Sequence, residues 1–221
     1  MRFVLLAVFA LGGLAVLIAL GAWQVQRLDW KTEILSRIDA RIDGVPQPLP
    51  DAPDEGRDEY LPVTVDGRIE DPELHVLIST PEYGASYRVI APIVTEAGRR
   101  VLVDQGAIPV GEKDEARPNG AVTVIGNLLW PDEVDGFTPD PELDRNIWFA
   151  RDLLAMAEAV GAEPLLIVAR EPVSEAVRPL PIGTDDIPNN HLQYAITWFS
   201  MAAIWAGMTL LLLWRMAIRR K

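Results

Sequence analysis

Two stretches of this chain have no charged side to show to water. Phe3 to Ala22 runs twenty residues without a charge, and Ile187 to Trp214 runs twenty-eight with His191 as its one group that titrates near neutral pH. About 20 helical residues cross about 30 Å of hydrocarbon, whereas a helix on the core of a soluble domain keeps one polar face. Both segments are therefore predicted to be transmembrane helices. The 169 residues from Trp23 to His191 make one ordinary domain between them. The first apolar run is longer than the 7–15 residues of a signal peptide, and Leu20-Gly21-Ala22 is a loose cleavage match, so we expect an uncleaved anchor.

Charge sets the expected orientation. All 32 acidic residues lie between the two apolar segments. Five of the 20 basic residues (Arg2, Arg215, Arg219, Arg220 and Lys221) lie at the tips, so the middle is left with 15 basic residues and a net −17. Positive flanks stay in the cytoplasm. Both termini are thus expected to be cytoplasmic and the domain exported, in a two-span protein of the lipid bilayer. An exported domain this acidic repels phosphate, which excludes nucleic acid as a partner. With no cysteine, disulfides and thiolate metal sites are excluded too.

No Gly or Pro interrupts Trp23 to Asp43. At about 100° per residue, Trp23, Gln24, Arg27, Trp30, Lys31, Ile34, Leu35, Ile38 and Ile42 share an arc of about 120°. Residues 1–43 are read as a transmembrane helix with an amphipathic extension, and 44–58, with four prolines among acids, as a linker. Residues 59–188 are read as the exported domain. Tyr60–Ile69, Leu74–Ser79, Tyr87–Val94, Arg100–Asp104, Ala121–Leu129 and Leu165–Arg170 are predicted strands, β-branched and bounded by turn signals. Arg151–Val160 is a predicted helix that closes at Gly161. Residues 189–214 form the second span and 215–221 a basic cytoplasmic tail. The expected class is membrane α+β: two transmembrane helices flank one mainly antiparallel β-sheet or small barrel with one helix.

The catalytic inventory is sparse. No nucleophile elbow, phosphate loop or zinc-protease motif occurs, and the histidines number two. His75 alternates with apolar residues in a predicted strand and is read as structural or exposed. Asp132, Glu133 and Asp135 are read as a solvated acidic turn rather than a cation site. The second span says more. Tyr194, Trp198, Ala202, Trp205 and Thr209 all fall within about 60° of His191 on a helix. A neutral imidazole above aromatics suits an axial ligand for haem iron; aromatic anchoring at the interface is the other reading. Trp205, about 21 Å down the helix from His191, is too deep for anchoring. Trp23, Gln24 and Arg27 leave the first span at the same depth as His191. Arg27 would either pair with a haem propionate or snorkel to the interface. Ala203 and Gly207 form a small-x-x-x-small pattern suited to close helix approach.

Several pieces resemble one family in its order: Gly21-Ala22-Trp23-Gln24-Val25-Gln26-Arg27-Leu28-Asp29-Trp30-Lys31, Tyr87-Arg88-Val89-Ile90-Ala91-Pro92, Val101-Leu102-Val103-Asp104-Gln105-Gly106-Ala107-Ile108-Pro109, Asn146-Ile147-Trp148-Phe149-Ala150-Arg151-Asp152 and Asn189-Asn190-His191-Leu192-Gln193-Tyr194-Ala195-Ile196-Thr197-Trp198-Phe199. The chain is similar in these to the surfeit locus protein 1 family, assembly factors of cytochrome c oxidase. The resemblance implies a role that is not enzymatic, in which haem a reaches subunit I, with haem a synthase as a further partner and His191 as ligand to the haem iron. Tyr194, Trp198, Trp23, Gln24 and Arg27 would complete the cofactor site, with Arg27 and Gln24 supporting the propionates. One departure is Asp104-Gln105-Gly106-Ala107-Ile108-Pro109, where the family usually has Asn-Arg-Gly-Trp-(Ile/Val)-Pro. With no long presequence before Phe3, a protein of the bacterial inner membrane is expected, its domain periplasmic. Two competing readings are a cofactor-free membrane chaperone, which would hold an oxidase subunit on the Trp23–Ile42 face, and a membrane enzyme, which the sparse inventory disfavours.

Overall fold

The computed structural model describes residues 2–117, 119–184 and 187–218, so Arg219, Arg220 and Lys221 of the basic tail lie outside the described residues. Helix α1 (Arg2–Ile42) is unbroken, and helix α4 (His191–Ile218) begins at the histidine itself. Both are long and apolar enough to cross a membrane. Only 17% of the most apolar stretch of α1 and 6% of that of α4 is buried, so neither is a core helix of a soluble fold. The class is membrane α+β, as the two uncharged runs predict. The chain divides into two compact units: residues 1–37 with 184–221, and residues 38–183.

The central unit is a mixed sheet. Its strands are β1 (Gln47–Pro48), β2 (Pro62–Ile69), β3 (Leu74–Thr80), β4 (Gly84–Thr95), β5 (Arg100–Pro109), β6 (Ala121–Leu129) and β7 (Leu166–Ala169). The order is β1-β2-β6-β7-β5-β4-β3, and a further β2–β4 pairing closes β2, β6, β7, β5 and β4 into a five-stranded barrel. Closure matters because an open edge would expose a row of unpaired N–H and C=O groups. All pairings are antiparallel except β5 with β7 and β1 with β2.

Closure depends on how β4 shares one edge. Gly84–Ile90 pair with β3, and Ile93–Thr95 pair with β2. So β2 and β3 lie in line along that edge, joined through Asp71 and Pro72. Pro92 stands at the changeover, where its missing N–H costs no ladder bond, and its carbonyl accepts from the Glu70 N–H. Inside the barrel, Val63, Ile93, Val101, Val103, Val124, Leu128 and Ile167 are fully buried. On the outer face, helix α3 (Leu153–Val160) packs Met156, Ala157 and Val160 against Leu74, Val76, Ile90, Leu102 and Leu166. Asp152 caps α3 by accepting from Ala155 N, and Gly161 ends it at φ 64°.

Two local features differ from the pattern read in the sequence. A second short helix, α2 (Glu55–Asp58), follows β1, whose Gln47 and Pro48 pair with Val63 and Thr64. The Arg57 guanidinium holds the Asp58 carboxyl down to about 2. Strand β5 runs on to Pro109, five residues past its predicted end, because the register shifts opposite Val89 and Ile90 and leaves Gln105 as the extra residue of a bulge. Gly106 follows at φ 121°, and a Cβ there would run into the backbone of Arg178 and Pro179. That segment bridges Ala107, which donates to the Arg178 carbonyl at 2.7 Å and accepts from the Arg178 N–H at 3.0 Å. Gly106→Ala should therefore destabilise the protein by about 2 kcal/mol, roughly 4–8 °C in Tm. Gly111→Ala, where the new Cβ would meet nothing within 4 Å, should leave Tm within a degree or so. Thermal unfolding of the detergent-solubilised chain, followed by near-UV circular dichroism, measures both.

Candidate functional site

Helices α1 and α4 pack as an antiparallel hairpin with small residues along the seam. Ala195 and Ala202 of α4 are buried, as are Ala10 and Gly21 of α1. The Phe199 ring fills the space that a Cβ on Gly21 would take, and the Trp205 ring does the same at Gly13. Trp205 Nε1 also donates to the Ala10 carbonyl at 2.9 Å. Its depth, odd for an interfacial anchor, is explained by this packing. The Ala203 and Gly207 pattern is not at the seam: both are exposed, and a Cβ on Gly207 would touch nothing within 4 Å.

At the polar end of the seam the two helices meet through side chains. Gln24 is buried at 8% exposure, and its Oε1 lies 2.8 Å from Nδ1 of half-buried His191. Lys31 Nζ, about two turns beyond Gln24 on α1, donates to the Pro188 carbonyl. The Arg27 guanidinium carbon stands 4.0 Å from the centre of the Trp30 ring, a cation–π contact in the open. Trp23, Trp30 and Tyr194 are about half exposed, and Trp198 is half-buried.

Helix geometry says which of these share a side. Arg27 and Tyr194 each sit three positions after the paired residues, about 60° round in the same sense. Two antiparallel right-handed helices are related by a two-fold axis through their seam, so equal offsets fall on the same side. Trp23, Arg27 and Trp30 of α1 thus share one side of the hairpin with Tyr194 of α4. Of the residues singled out in the sequence, Trp23, Arg27 and Tyr194 lie within about 5 Å of the Gln24–His191 pair along the helix axes, Arg27 towards the polar end and Tyr194 towards the apolar one, while Trp198 is about 10 Å along α4 from His191. What sequence reasoning missed is the Gln24–His191 pairing, since an angular stripe on one helix does not name its partner on another.

The central unit holds two buried charge clusters. His75, at 5% exposure, lies 3.4 Å from Glu73 Oε2 and 3.2 Å from Arg117 Nη2 by its Nε2, and 3.1 Å from Asn146 Nδ2 by its Nδ1. Both ring nitrogens are engaged, which fits the structural reading. Burial pushes the Glu73 carboxyl up, but hydrogen bonds from His75 and Arg117 outweigh it and hold it low. In the second cluster, Asp104 is fully buried between Arg88 Nη1 at 2.6 Å and Arg151 Nη1 at 3.4 Å, and Gly106 N donates to its Oδ1. Burial pushes the Asp104 carboxyl up against the pull of these two arginines. Arg151 also clasps Glu133 through its backbone N–H and its guanidinium. Glu133 is therefore neither a free turn carboxylate nor open to a cation. Asp135 accepts from Phe137 N and Thr138 Oγ1. Among the described residues, no three of His, Asp or Glu gather as ligands for a bare metal ion.

A two-span membrane hairpin attached to a small barrel, with an imidazole at the polar end of the hairpin, defines the class. Residues 11–203 match the SURF1 family. The chain is 34% identical over 213 residues to surfeit locus protein 1 of Xenopus tropicalis, covering 84% of this chain and 68% of the relative. The Homo sapiens surfeit locus protein 1 is 32% identical over 210 residues, with 83% and 69% covered. A SURF1-like protein of Monosiga brevicollis is 29% identical over 214 residues, with 86% and 80% covered. The chain belongs to the SURF1 family, known as cytochrome c oxidase assembly factors.

The Glu133–Arg151 clasp has a pH signature. Burial raises the Glu133 carboxyl, but the Arg151 hydrogen bonds and charge more than offset this, leaving it below its ordinary value of 4.5. A carboxylate depressed in the folded state adds stability above its ordinary value, and that stability is lost as the pH falls through the folded value. Melting temperature should drop between pH 5 and roughly pH 3 in the wild type, and less steeply in Glu133→Gln. Parallel slopes for the two proteins would remove Arg151 as the cause.

Proposed function

We propose that this protein assists the assembly of haem-copper cytochrome c oxidase without catalysing a reaction, by binding haem a at the polar end of its hairpin and aiding its insertion into subunit I. What carries the reading is one juxtaposition. His191 lies within about 5 Å along the helix axes of exposed Trp23 and Tyr194 and of the open Arg27 guanidinium, which share one side of the hairpin. A lone histidine cannot hold a bare ion tightly, whereas iron already in a porphyrin needs only an axial ligand. Bound haem a would supply an iron that accepts an imidazole nitrogen and two carboxylates that want a cation.

Each of the chain's own residues then has a task. His191 presents an imidazole nitrogen, Trp23, Tyr194 and Trp198 offer flat apolar faces, and Arg27 offers a charge-assisted bond to a carboxylate. Gln24 completes the set. Subunit I and haem a synthase are the partners of this reading. The −17 middle and +5 tips support this reading's topology, with the termini in the cytoplasm and the barrel in the periplasm of a bacterial inner membrane. The exposed Trp23 and Trp30 also favour a second reading, in which the same face docks an oxidase subunit with no cofactor.

His191→Ala should purify from haem a-producing cells with little or no haem. Arg27→Ala, which removes one charge-assisted bond worth roughly 1.5–3 kcal/mol, should weaken loading about ten- to a hundredfold and still give the bound spectrum at saturation. A full Soret band in His191→Ala would leave the cofactor-free chaperone as the better account. Deleting the gene should lower the activity of the haem a oxidase while haem a is still made; loss of haem a itself would call for an enzyme instead. Fusions at Lys221 should light only a cytoplasmic reporter and fusions near Gly120 only an exported one, and the reverse would overturn the orientation.

A further inference from the structure

We infer that Gln24 is the positioning residue for His191: its amide oxygen accepts a hydrogen bond from Nδ1–H and so presents the Nε2 lone pair as the one that ligates iron. This rests on the haem reading above, and it gives Gln24 a different task from the propionate contact. The argument starts from what an amide oxygen is able to do. It accepts and never donates, so at 2.8 Å from Gln24 Oε1 the Nδ1 of His191 carries the hydrogen. A neutral imidazole has one N–H, which leaves the lone pair on Nε2.

The placement adds direction. Gln24 is on α1 and His191 opens α4, so the bond crosses the seam and fixes the ring between two helices that also pack through Gly21 and Phe199. Gln24 is buried at 8% exposure, so water competes little for its amide oxygen. An imidazole left to itself exchanges its proton between the two nitrogens and turns about its Cβ–Cγ bond. Held here, it offers one nitrogen in one direction, as partners of metal-bound histidines do. The choice of an amide has a consequence as well. A carboxylate at this position would draw the Nδ1 hydrogen more strongly and make Nε2 a more electron-rich ligand, whereas an amide polarises the ring less. Arg27, engaged with the Trp30 face in the open, is the side chain free to meet a carboxylate.

The test uses the full chain in detergent, titrated with haem a, in the wild type, Gln24→Leu, Gln24→Glu and His191→Ala. Affinity, Soret position and midpoint potential are measured on each. Gln24→Leu should bind about ten- to a hundredfold more weakly. Gln24→Glu should recover the affinity, shift the Soret band and lower the midpoint potential below that of the wild type, since a more basic ligand favours ferric iron. A role in helix packing alone predicts no shift in potential for Gln24→Glu, and that result overturns the inference even if Gln24→Leu binds poorly. Repeating the Gln24→Leu titration with the dimethyl ester of iron protoporphyrin separates the remaining alternative: a penalty that vanishes with the ester assigns Gln24 to the propionates and overturns the inference, and a penalty that persists supports it. His191→Ala reports on the underlying reading separately. Full haem binding by that variant removes the ligand itself, whereas loss of haem there together with an unshifted Gln24→Glu spectrum removes only the positioning role.

Discussion

Hydrocarbon offers a peptide no hydrogen-bond partner, and much in this protein follows from that. Each backbone group inside the bilayer must be satisfied within its own segment, so the two uncharged runs have no choice but helix. Between two such helices there is little hydrophobic drive, because lipid is as apolar as leucine, and close packing has to hold them. Gly13 and Gly21 supply it by leaving room for the rings of Trp205 and Phe199, and Ala195 and Ala202 let the backbones approach. Most of the directional side-chain contacts between the two helices gather at the end where the hairpin leaves hydrocarbon, with the bond from Trp205 Nε1 to the Ala10 carbonyl lying deeper. Gln24, Arg27, Lys31 and His191 are all at the polar end.

The barrel solves a different problem with the same backbone groups. Five strands close on themselves only because β4 hands one edge from β3 to β2 at Pro92. The buried charges of this unit are arranged around that frame. Asp104, on the same face of β5 as Leu102, joins Arg88 of β4 to Arg151 ahead of α3, and Gly106 N beyond the bulge donates to its Oδ1. The last turn of α1 is tied to the same unit, since Asn127 Nδ2 donates to the Ile42 and Tyr60 carbonyls at 2.9 Å each and fills an acceptor that a helix end would otherwise leave open. The functional reading gives these clusters no chemistry: their donors and acceptors are spent on one another.

Much of this was legible in the sequence, for reasons that differ by level. Spans showed because twenty uncharged residues have few other uses. The main strands showed because β-branched runs met Gly and Pro at their ends, and α3 because Asp152 and Gly161 mark its limits. Barrel closure did not show, since β2 reaches β4 through only three residue pairs, Gly67 to Ile69 with Ile93 to Thr95. Nor did the run of β5 past Asp104, because a bulge is a matter of register rather than composition. His75 was readable as structural, yet its partners Arg117 and Asn146, 42 and 71 residues on, were not.

The departure at Asp104-Gln105-Gly106-Ala107 is the clearest case of sequence raising a question that local packing answers. Gly106 is needed whatever stands beside it, because its positive φ and the passage of Arg178 over its α-carbon admit no side chain. Gln105 is 3% exposed and Ala107 1%, so neither reaches water. Asp104 is a fully buried carboxylate, which is tolerable only with cations in contact, and Arg88 and Arg151 are those cations. With Glu133 closing the far side of Arg151, two positive and two negative groups balance within one cluster. The loop is thus committed to holding the barrel, while Trp23, Arg27 and Tyr194 on the helical hairpin keep exposed surface that no packing contact has claimed in full.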